Sequence, residues 1–219
     1  MVKIEQLEKM DSYLSISLLQ LFIMIHEFSE NTYLVGGCVR DAILDRTPKD
    51  FDIVTDVPIT KLAPELESNG WQIKGVGDCF LVYVVSKDGA MYEISNFRKD
   101  GPTSDGRRPE TVSIGTIQDD SSRRDFTINS IYWNPIRNTM VDLNGGIRDI
   151  ESRTLRFIGK PKDRIKEDYL RVFRLFRFAS TLKFTIDKKS LTAAREMFTE
   201  AYNCTTPERV RQEIERMAL

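Results

Sequence analysis

The chain has 219 residues, 41% hydrophobic and 30% charged, enough for one domain or two small ones and too polar for a membrane-embedded body. Thirty-two Lys and Arg against 33 Asp and Glu leave a net charge of −1, which excludes nucleic-acid binding by bulk charge but permits a local basic surface. A single histidine, His26, and three scattered cysteines, Cys38, Cys79 and Cys204, exclude a zinc finger, a disulfide framework and most histidine-dependent nucleophile schemes. Any catalysis must run on carboxylates and arginines, with or without a metal.

The uncharged stretch Ser12 to Ile25 comes first. Its fourteen residues fall short of the roughly 20 that a spanning helix needs, and no small-residue cleavage site follows. Leu14, Leu18, Leu21 and Ile25 recur at helical spacing, so an amphipathic helix with Asp11 as its N-cap is expected, ending at a surface His26. From Thr32 the pattern changes to short apolar runs. Thr32–Val35, Phe51–Val54, Phe80–Val85, Tyr92–Ser95, Thr111–Ile114 and Leu155–Ile158 read as strands, with a hairpin turn at Lys87-Asp88-Gly89. Helices are expected near Val39–Leu44, Ile59–Glu67 and Phe126–Trp133. Mixed order of this kind predicts an α/β (α+β) domain, a five-stranded mixed sheet flanked by helices. After Pro161 the strand signal fades, and Lys162 to Leu219 reads as three helices with breaks near Phe184–Asp187 and Asn203–Pro207. Charge changes at the same place: residues 153–183 hold ten Lys or Arg and three Asp or Glu, a local net of +7.

Five short segments carry chemistry. In Leu34-Val35-Gly36-Gly37-Cys38-Val39-Arg40-Asp41 a strand runs through two glycines into a helix with an arginine in its first turn. Such a turn lets backbone approach phosphate closely, and Arg40 can fork onto phosphate oxygens; alone, a tight strand-to-helix turn is the commoner explanation. In Lys49-Asp50-Phe51-Asp52-Ile53-Val54 alternation puts Asp50 and Asp52 on one face, hard oxygen donors suited to Mg²⁺, although a solvated edge strand has the same pattern. Glu93, in Met91-Tyr92-Glu93-Ile94-Ser95, supplies a third carboxylate. If its strand lies beside that of Asp52, the trio can hold two divalent ions for in-line phosphoryl transfer. Arg123-Arg124-Asp125-Phe126-Thr127-Ile128-Asn129 is expected to open a helix, with Asp125 either a functional residue or a cap. Last, Asp168, Arg171, Arg174 and Arg177 fall three apart beside an apolar stripe of Leu170, Phe173 and Phe176. An ordinary amphipathic helix explains much of this, yet three arginines in a row repel unless something anionic lies over them.

In this order the five segments resemble the class II tRNA nucleotidyltransferases and their bacterial poly(A) polymerase relatives, in the DNA polymerase β-type superfamily. The resemblance covers nearly the whole chain, through Glu208-Arg209-Val210-Arg211-Gln212-Glu213, and includes Val141-Asp142-Leu143-Asn144-Gly145-Gly146 as the head-to-neck connector. It implies a nucleotidyltransferase head over residues 1–158 and an all-helical neck over 159–219. It further implies that Asp50, Asp52 and Glu93 hold Mg²⁺ and are catalytic. Gly36, Gly37, Arg40 and Arg124 would hold the nucleoside triphosphate, Asp168 and Arg171 would read the base, and Arg174 and Arg177 would support that pocket or the phosphates. The implied reaction transfers CMP or AMP from CTP or ATP to the 3′ end of tRNA in the cytoplasm, with no membrane partner and with release of pyrophosphate.

Family members normally continue into body and tail regions that grip tRNA, whereas this sequence stops at Leu219 as the neck ends. A longer parent chain, a second chain supplying the grip, or a minimal grip would each account for that, and binding to RNA is expected to be weak and salt-sensitive. The loop from Arg98 to Pro109, with Asp105-Gly106-Arg107-Arg108-Pro109, resembles a flexible loop that CC-only relatives lack. Poly(A) polymerases of the group carry a Gly-Arg-Arg-Phe-like run where this chain has Gly75-Val76-Gly77-Asp78-Cys79-Phe80. CCA addition therefore ranks first, A-only addition second and poly(A) synthesis third. A catalytically silent nucleotide- or RNA-binding module is the reading from another class, disfavoured because all three carboxylates are present.

Overall fold

A computed structural model of the chain describes residues 10–75, 81–103, 106 and 109–217. In chain order the first strands are β1 (Thr32–Val35), β2 (Asp52–Thr55), β3 (Gln72–Gly75), β4 (Val82–Lys87), β5 (Ala90–Asn96), β6 (Arg98–Asp100), β7 (Val112–Ile114), β8 (Ile131–Asn134) and β9 (Thr139–Asp142). Seven of them form one mixed sheet in the order β3-β4-β5-β2-β1-β8-β9, while β6 and β7 pair separately. Only β2 and β5 run parallel within it; the other neighbours are antiparallel. Asp88 and Gly89 link β4 to β5 with φ of +50° and +80°, the two left-handed positions that a tight Asp-Gly hairpin requires.

Side-chain alternation divides the sheet. Leu34, Ile53, Ile94 and Trp133 point into the main core, where Leu18, Leu21, Phe22 and Ile25 of α1 (Ile16–Phe28) meet them. Val35, Val54 and Tyr132 occupy the other face and pack with Phe97 in a much smaller cluster. One face is thickly covered and the other thinly. The thin face is where the charged residues described below converge.

Directly after β1, α2 (Gly37–Ile43) buries Cys38, Val39, Ala42 and Ile43 in the main core, while Ile117 of α4 (Ile117–Arg123), before β8, packs on the thin face; α3 (Ile59–Ser68) and α5 (Gly146–Glu151) complete the sheet region. Then follow β10 (Thr154–Leu155), α6 (Pro161–Glu167), α7 (Leu170–Leu182), β11 (Thr185–Ile186), α8 (Lys188–Glu196), α9 (Phe198–Cys204) and α10 (Pro207–Glu215). Phe126 welds the C-terminal helices to the sheet region. Its ring stacks on Phe157 at 4.9 Å and meets the edge of Phe178 of α7 at 5.6 Å. Phe126 is fully buried, so Phe126→Ala should cost about 3–5 kcal/mol.

The mixed sheet with flanking helices is as expected, but several details differ. Among the described residues the sheet has seven strands rather than five. Phe126–Trp133 is not a helix: Thr127–Asn129 forms one 3₁₀ turn and Ile131–Asn134 is a strand. That strand is buried on both faces, so its side chains show no polar alternation to distinguish it from a buried helix. Thr111–Ile114 pairs with β6, and Leu155–Ile158 contributes β10 to a parallel pair with β11, so neither belongs to the main sheet. The start of the Phe80–Val85 strand lies outside the described residues. The first helix is capped by Ser15, whose hydroxyl accepts the Leu18 N–H at 3.1 Å, rather than by Asp11. Among the described residues the C-terminal part has five helices instead of three. Extended backbone at Asp168 separates α6 from α7, and Met197 separates α8 from α9, both without the Gly or Pro that would have marked a break.

Candidate functional site

Parallel pairing of β2 with β5 sets Asp52 directly opposite Glu93, and alternation puts both on the thin face with Val35 and Val54. Asp50 precedes the strand in an exposed irregular segment, so strand alternation does not place it; its charge nonetheless acts on both Asp52 and Glu93. Burial, partly offset by Arg124 and reinforced by Asp50, holds the Asp52 carboxyl above the usual carboxylate range. Partial burial, then Asp52 and Asp50, does the same for Glu93. Three negative groups therefore crowd the thin face over two interior strands of the sheet and repel one another. This is a donor set of hard oxygens short of positive charge, which fits a divalent cation such as Mg²⁺. Among the described residues no three ligating side chains are already closed about one point.

Gly36 and Arg124 complete this face. Gly36 has φ +83° and ψ −129°, a conformation open to glycine, and a Cβ there would lie 3.4 Å from Arg124 Nη1 and 3.9 Å from Asp52 Oδ2. Gly37 begins α2, its own Cβ position 3.6 Å from Arg40 Nη2. Cys38, the next residue, is buried with its thiol donating to the Val35 carbonyl at 3.3 Å. Burial and then the Asp52 charge push that thiol up to about 12, so it stays neutral under the carboxylates.

Arg124 is not at the start of a helix; it caps the end of α4. A buried carboxylate one turn back, Asp120, fixes it. Asp120 Oδ2 accepts Arg124 Nε at 3.0 Å and the Tyr132 hydroxyl at 2.7 Å, while Oδ1 accepts Arg123 Nε at 2.9 Å. Burial opposes the Asp120 charge, yet Arg124, Arg123 and Tyr132 outweigh it and hold its pKa below the usual range. Burial likewise opposes the Arg124 charge, and Asp120 overcomes it, raising the arginine's pKa.

Arg40 is turned away from open solvent. Its Nη1 donates to Asn129 Oδ1 at 2.7 Å, its Nε and Nη2 engage Asp41, and its guanidinium lies 5.0 Å from the Phe178 ring centre. Asn129 in turn donates to Asp125 Oδ1 at 3.0 Å, and Asp125 Oδ2 accepts Arg174 Nε at 2.8 Å and Nη2 at 2.6 Å. Burial works against the Asp125 charge, but Arg174, Asn129 and Arg171 prevail and lower its pKa to about 2. Asp125 is thus no helix cap. It is a buried anion that ties the sheet region to α7.

The arginine row on α7 is neutralised by the protein itself. Arg171 Nη1 donates to Glu167 Oε2 at 2.7 Å and to the Arg164 carbonyl at 2.9 Å, and its Nη2 donates to the Arg123 carbonyl at 2.8 Å. Arg174 has Asp125, and Arg177 has Glu213 while lying 3.9 Å over the Phe178 ring. Asp168, at the junction of α6 and α7, pairs with Arg209 of α10 rather than with Arg171. Asp168 and Arg171 line a cavity of about 310 Å³ with Arg98, Lys99, Arg123 and Arg164. Gly106 packs beside that cavity: its carbonyl accepts the Tyr169 N–H at 3.1 Å, and a Cβ would meet the Tyr169 ring at 2.3 Å. The neighbouring Ser104, Asp105, Arg107 and Arg108, like Val76-Gly77-Asp78-Cys79-Phe80, lie outside the described residues.

Residues 32–156 match the poly A polymerase head domain. The chain belongs to that family. It is 35% identical over 179 residues to poly(A) polymerase I of Haemophilus influenzae, covering 75% of this chain and 38% of that protein. It is 33% identical over 196 residues to the CCA-adding enzyme of Lactobacillus delbrueckii subsp. bulgaricus, covering 89% of this chain and 48% of that one. The fold superposes on the Bacillus stearothermophilus CCA-adding enzyme in complex with CTP with a TM-score of 0.77 at 27% identity, over 93% of this chain and 49% of the other. The chain thus spans less than half the length of these curated relatives.

Within this head-domain family member, the residues grouped from the sequence separate into three sets. Asp50, Asp52, Glu93, Gly36 and Arg124 are brought together on the thin face; Arg40, with Gly37 beside it, Arg174 and Arg177 are tied into the junction with α7; and Asp168 and Arg171 line the 310 Å³ cavity. The supporting residues Asp120, Asn129, Glu167, Arg209 and Glu213 were not assigned roles from the sequence. Asp120 had one legible signal: it follows the capping-box pair Thr116 and Asp119, and acidic residues three and four positions before two arginines are helix-face partners.

Proposed function

We propose that the chain is the catalytic head, through residue 158, and the helical neck, from residue 159, of an RNA nucleotidyltransferase that adds CMP and AMP to the 3′ end of tRNA. The observation that supports this most directly is the register of Asp52 against Glu93 with Asp50 alongside: burial and neighbouring negative charge hold the Asp52 and Glu93 carboxyls above the usual range on the face where Gly36 and Arg124 lie. Asp50, Asp52 and Glu93 would hold Mg²⁺, which when bound activates the RNA 3′-hydroxyl and neutralises the departing pyrophosphate. Arg124, kept charged by Asp120, faces that site and suits a triphosphate oxygen. Gly36 and Gly37 leave room for the phosphates. Arg40 is buried and braced by Asn129, a role in holding the site together that precedes any contact with nucleotide.

Asp168 and Arg171 would read the base from the wall of the 310 Å³ cavity. An ionised Asp168 only accepts hydrogen bonds, so it suits the exocyclic amine of cytosine or adenine; Arg171 only donates, so it suits the ring nitrogen beside that amine. Uracil and guanine offer a carbonyl where the amine should be, at a cost on the order of 1–3 kcal/mol. Asp168→Ala is expected to blur the choice among the four triphosphates while leaving metal binding intact. A variant that keeps its preference for CTP and ATP and only melts earlier would make Asp168 structural.

The deciding assay supplies labelled CTP or ATP, Mg²⁺ and tRNAs ending at the discriminator base, C or CC. Addition that stops at CCA is the expected product. A second reading is favoured by the similarity to poly(A) polymerase I, and a long adenosine ladder would establish it. No incorporation at high RNA concentration would leave a nucleotide- or RNA-binding module. Among the described residues no helix is long and apolar enough to cross a membrane; a cytoplasmic setting matches the tRNA substrate proposed.

A further inference from the structure

Helix α10 presents two opposite charges one turn apart to the region of α7. Glu213 is 3% exposed and accepts Arg177 Nε; Arg209 Nη2 lies 3.3 Å from Asp168 Oδ1 and 3.4 Å from Oδ2. Val210, between them in sequence, is buried in the core, so the helix is packed in place rather than resting on the surface. Among the described residues Arg209 is the one ion-pair partner of Asp168. Arg171 is occupied elsewhere, by Glu167 and by the carbonyls of Arg164 and Arg123.

The two oxygens of Asp168 are not equivalent. Oδ1 accepts the Leu170 N–H at 3.1 Å in addition to the Arg209 contact, whereas Oδ2 has Arg209 alone. A carboxylate held at two points has its plane fixed, and the less occupied oxygen keeps acceptor capacity for another donor. Without Arg209 one backbone hydrogen bond would remain, and the side chain could rotate about it.

We propose that Arg209 is a positioning residue for base selection: from the last helix it fixes the plane of Asp168 so that Oδ2 is presented to the exocyclic amine of the incoming base. The inference rests on the base-reading role given to Asp168 above. It makes α10 part of the specificity apparatus, although Arg209 itself need touch no nucleotide.

The test is equilibrium binding of labelled CTP and UTP to the full chain and to Arg209→Gln, Arg209→Lys, Asp168→Ala and the Arg209→Gln/Asp168→Ala double variant, each with a thermal melt. The wild-type chain should prefer CTP by about tenfold or more. Arg209→Gln should lose roughly three- to tenfold of that preference, and Arg209→Lys, which keeps a charged donor, should recover part of it. On the Asp168→Ala background Arg209→Gln should change the ratio no further, because a residue acting through Asp168 has nothing left to position. An unchanged CTP/UTP ratio in Arg209→Gln, with the Asp168→Ala ratio collapsed, overturns this inference alone. An equal further loss in the double variant would also overturn it, by showing that Arg209 acts independently of Asp168. If Asp168→Ala keeps the wild-type ratio, or the wild type shows none, the base-reading role falls and takes this inference with it. Should Arg209→Gln not fold, Arg209→Lys must still fall between wild type and Asp168→Ala.

Discussion

The thin face of the sheet and the row of arginines on α7 are both dense in charge, yet the structure treats them in opposite ways. Asp50, Asp52 and Glu93 are left in mutual repulsion, with pKa values of the latter two pushed up, and Arg124 the cation that moderates Asp52. Arg171, Arg174 and Arg177 each have an acidic partner, from α6, from the segment before β8 and from α10 respectively. Uncompensated like charge is a cost in stability, retained where a ligand supplies the missing countercharge. Compensated charge, buried at the junction, orients two parts of the molecule. The carboxylates are arranged to receive something, and most of the arginines are arranged to hold the protein together.

The largest effect that would test this contrast is loss of activity without loss of stability. Asp52→Asn should lower nucleotidyl transfer by about three orders of magnitude, the several kcal/mol that metal stabilisation supplies. Its melting temperature without divalent cation should equal or exceed that of the wild type. The pH dependence has a definite sign. A carboxyl whose folded pKa is raised binds its proton more tightly when folded, so its stabilising contribution is lost as pH rises from the ordinary carboxylate range through the raised value. The melting temperature of the wild type relative to Asp52→Asn should fall across that window, and Mg²⁺ at neutral pH should restore it. A fall that Mg²⁺ does not reverse would break the contrast at its acidic end.

Next in size is Asp120→Ala, expected to destabilise by about 3–5 kcal/mol because it strands two partly buried arginines. Urea denaturation measures this directly. Somewhat smaller is the acid response of Asp125. With its pKa lowered to about 2, its contribution is present above the ordinary value of 3.8 and is lost as pH falls toward 2. Acid titration of the native fold should show that limb in the wild type and not in Asp125→Asn. The smallest effect belongs to the exposed pair Lys162–Glu196, both more than half exposed: Lys162→Ala should change stability by less than about 1 kcal/mol, and less still in high salt.

The carboxylate set, the glycine turn and the mixed sheet were legible in the sequence because each rests on local rules. Alternation from Asp52 to Val54 marks a strand, although Asp50 lies before it, and Val35-Gly36-Gly37 marks a strand that must turn tightly. The β-branched runs mark the elements that build the sheet. Strand β8 escaped because Ile131, Tyr132 and Trp133 are buried on both faces and show no alternation. The break between α6 and α7 escaped because Asp168 takes an extended backbone with no Gly or Pro to announce it.

What the tertiary structure alone decided is which charge meets which. Spacing left two readings of Asp168, Arg171, Arg174 and Arg177, an ordinary helix with an Asp–Arg pair or an arginine row under an external anion, and the base-reading role came from the family resemblance. Instead Arg174 meets Asp125 across 49 positions, Arg177 meets Glu213 across 36, and Asp168 meets Arg209 across 41. Sequence determines local geometry because backbone sterics and side-chain periodicity act over a few residues. The sign and strength of a charged site depend on distances through space and on exclusion from water, and both are set only when α7 and α10 pack against the sheet. The sequence therefore named the ionisable groups, and the packing separated those kept uncompensated from those neutralised.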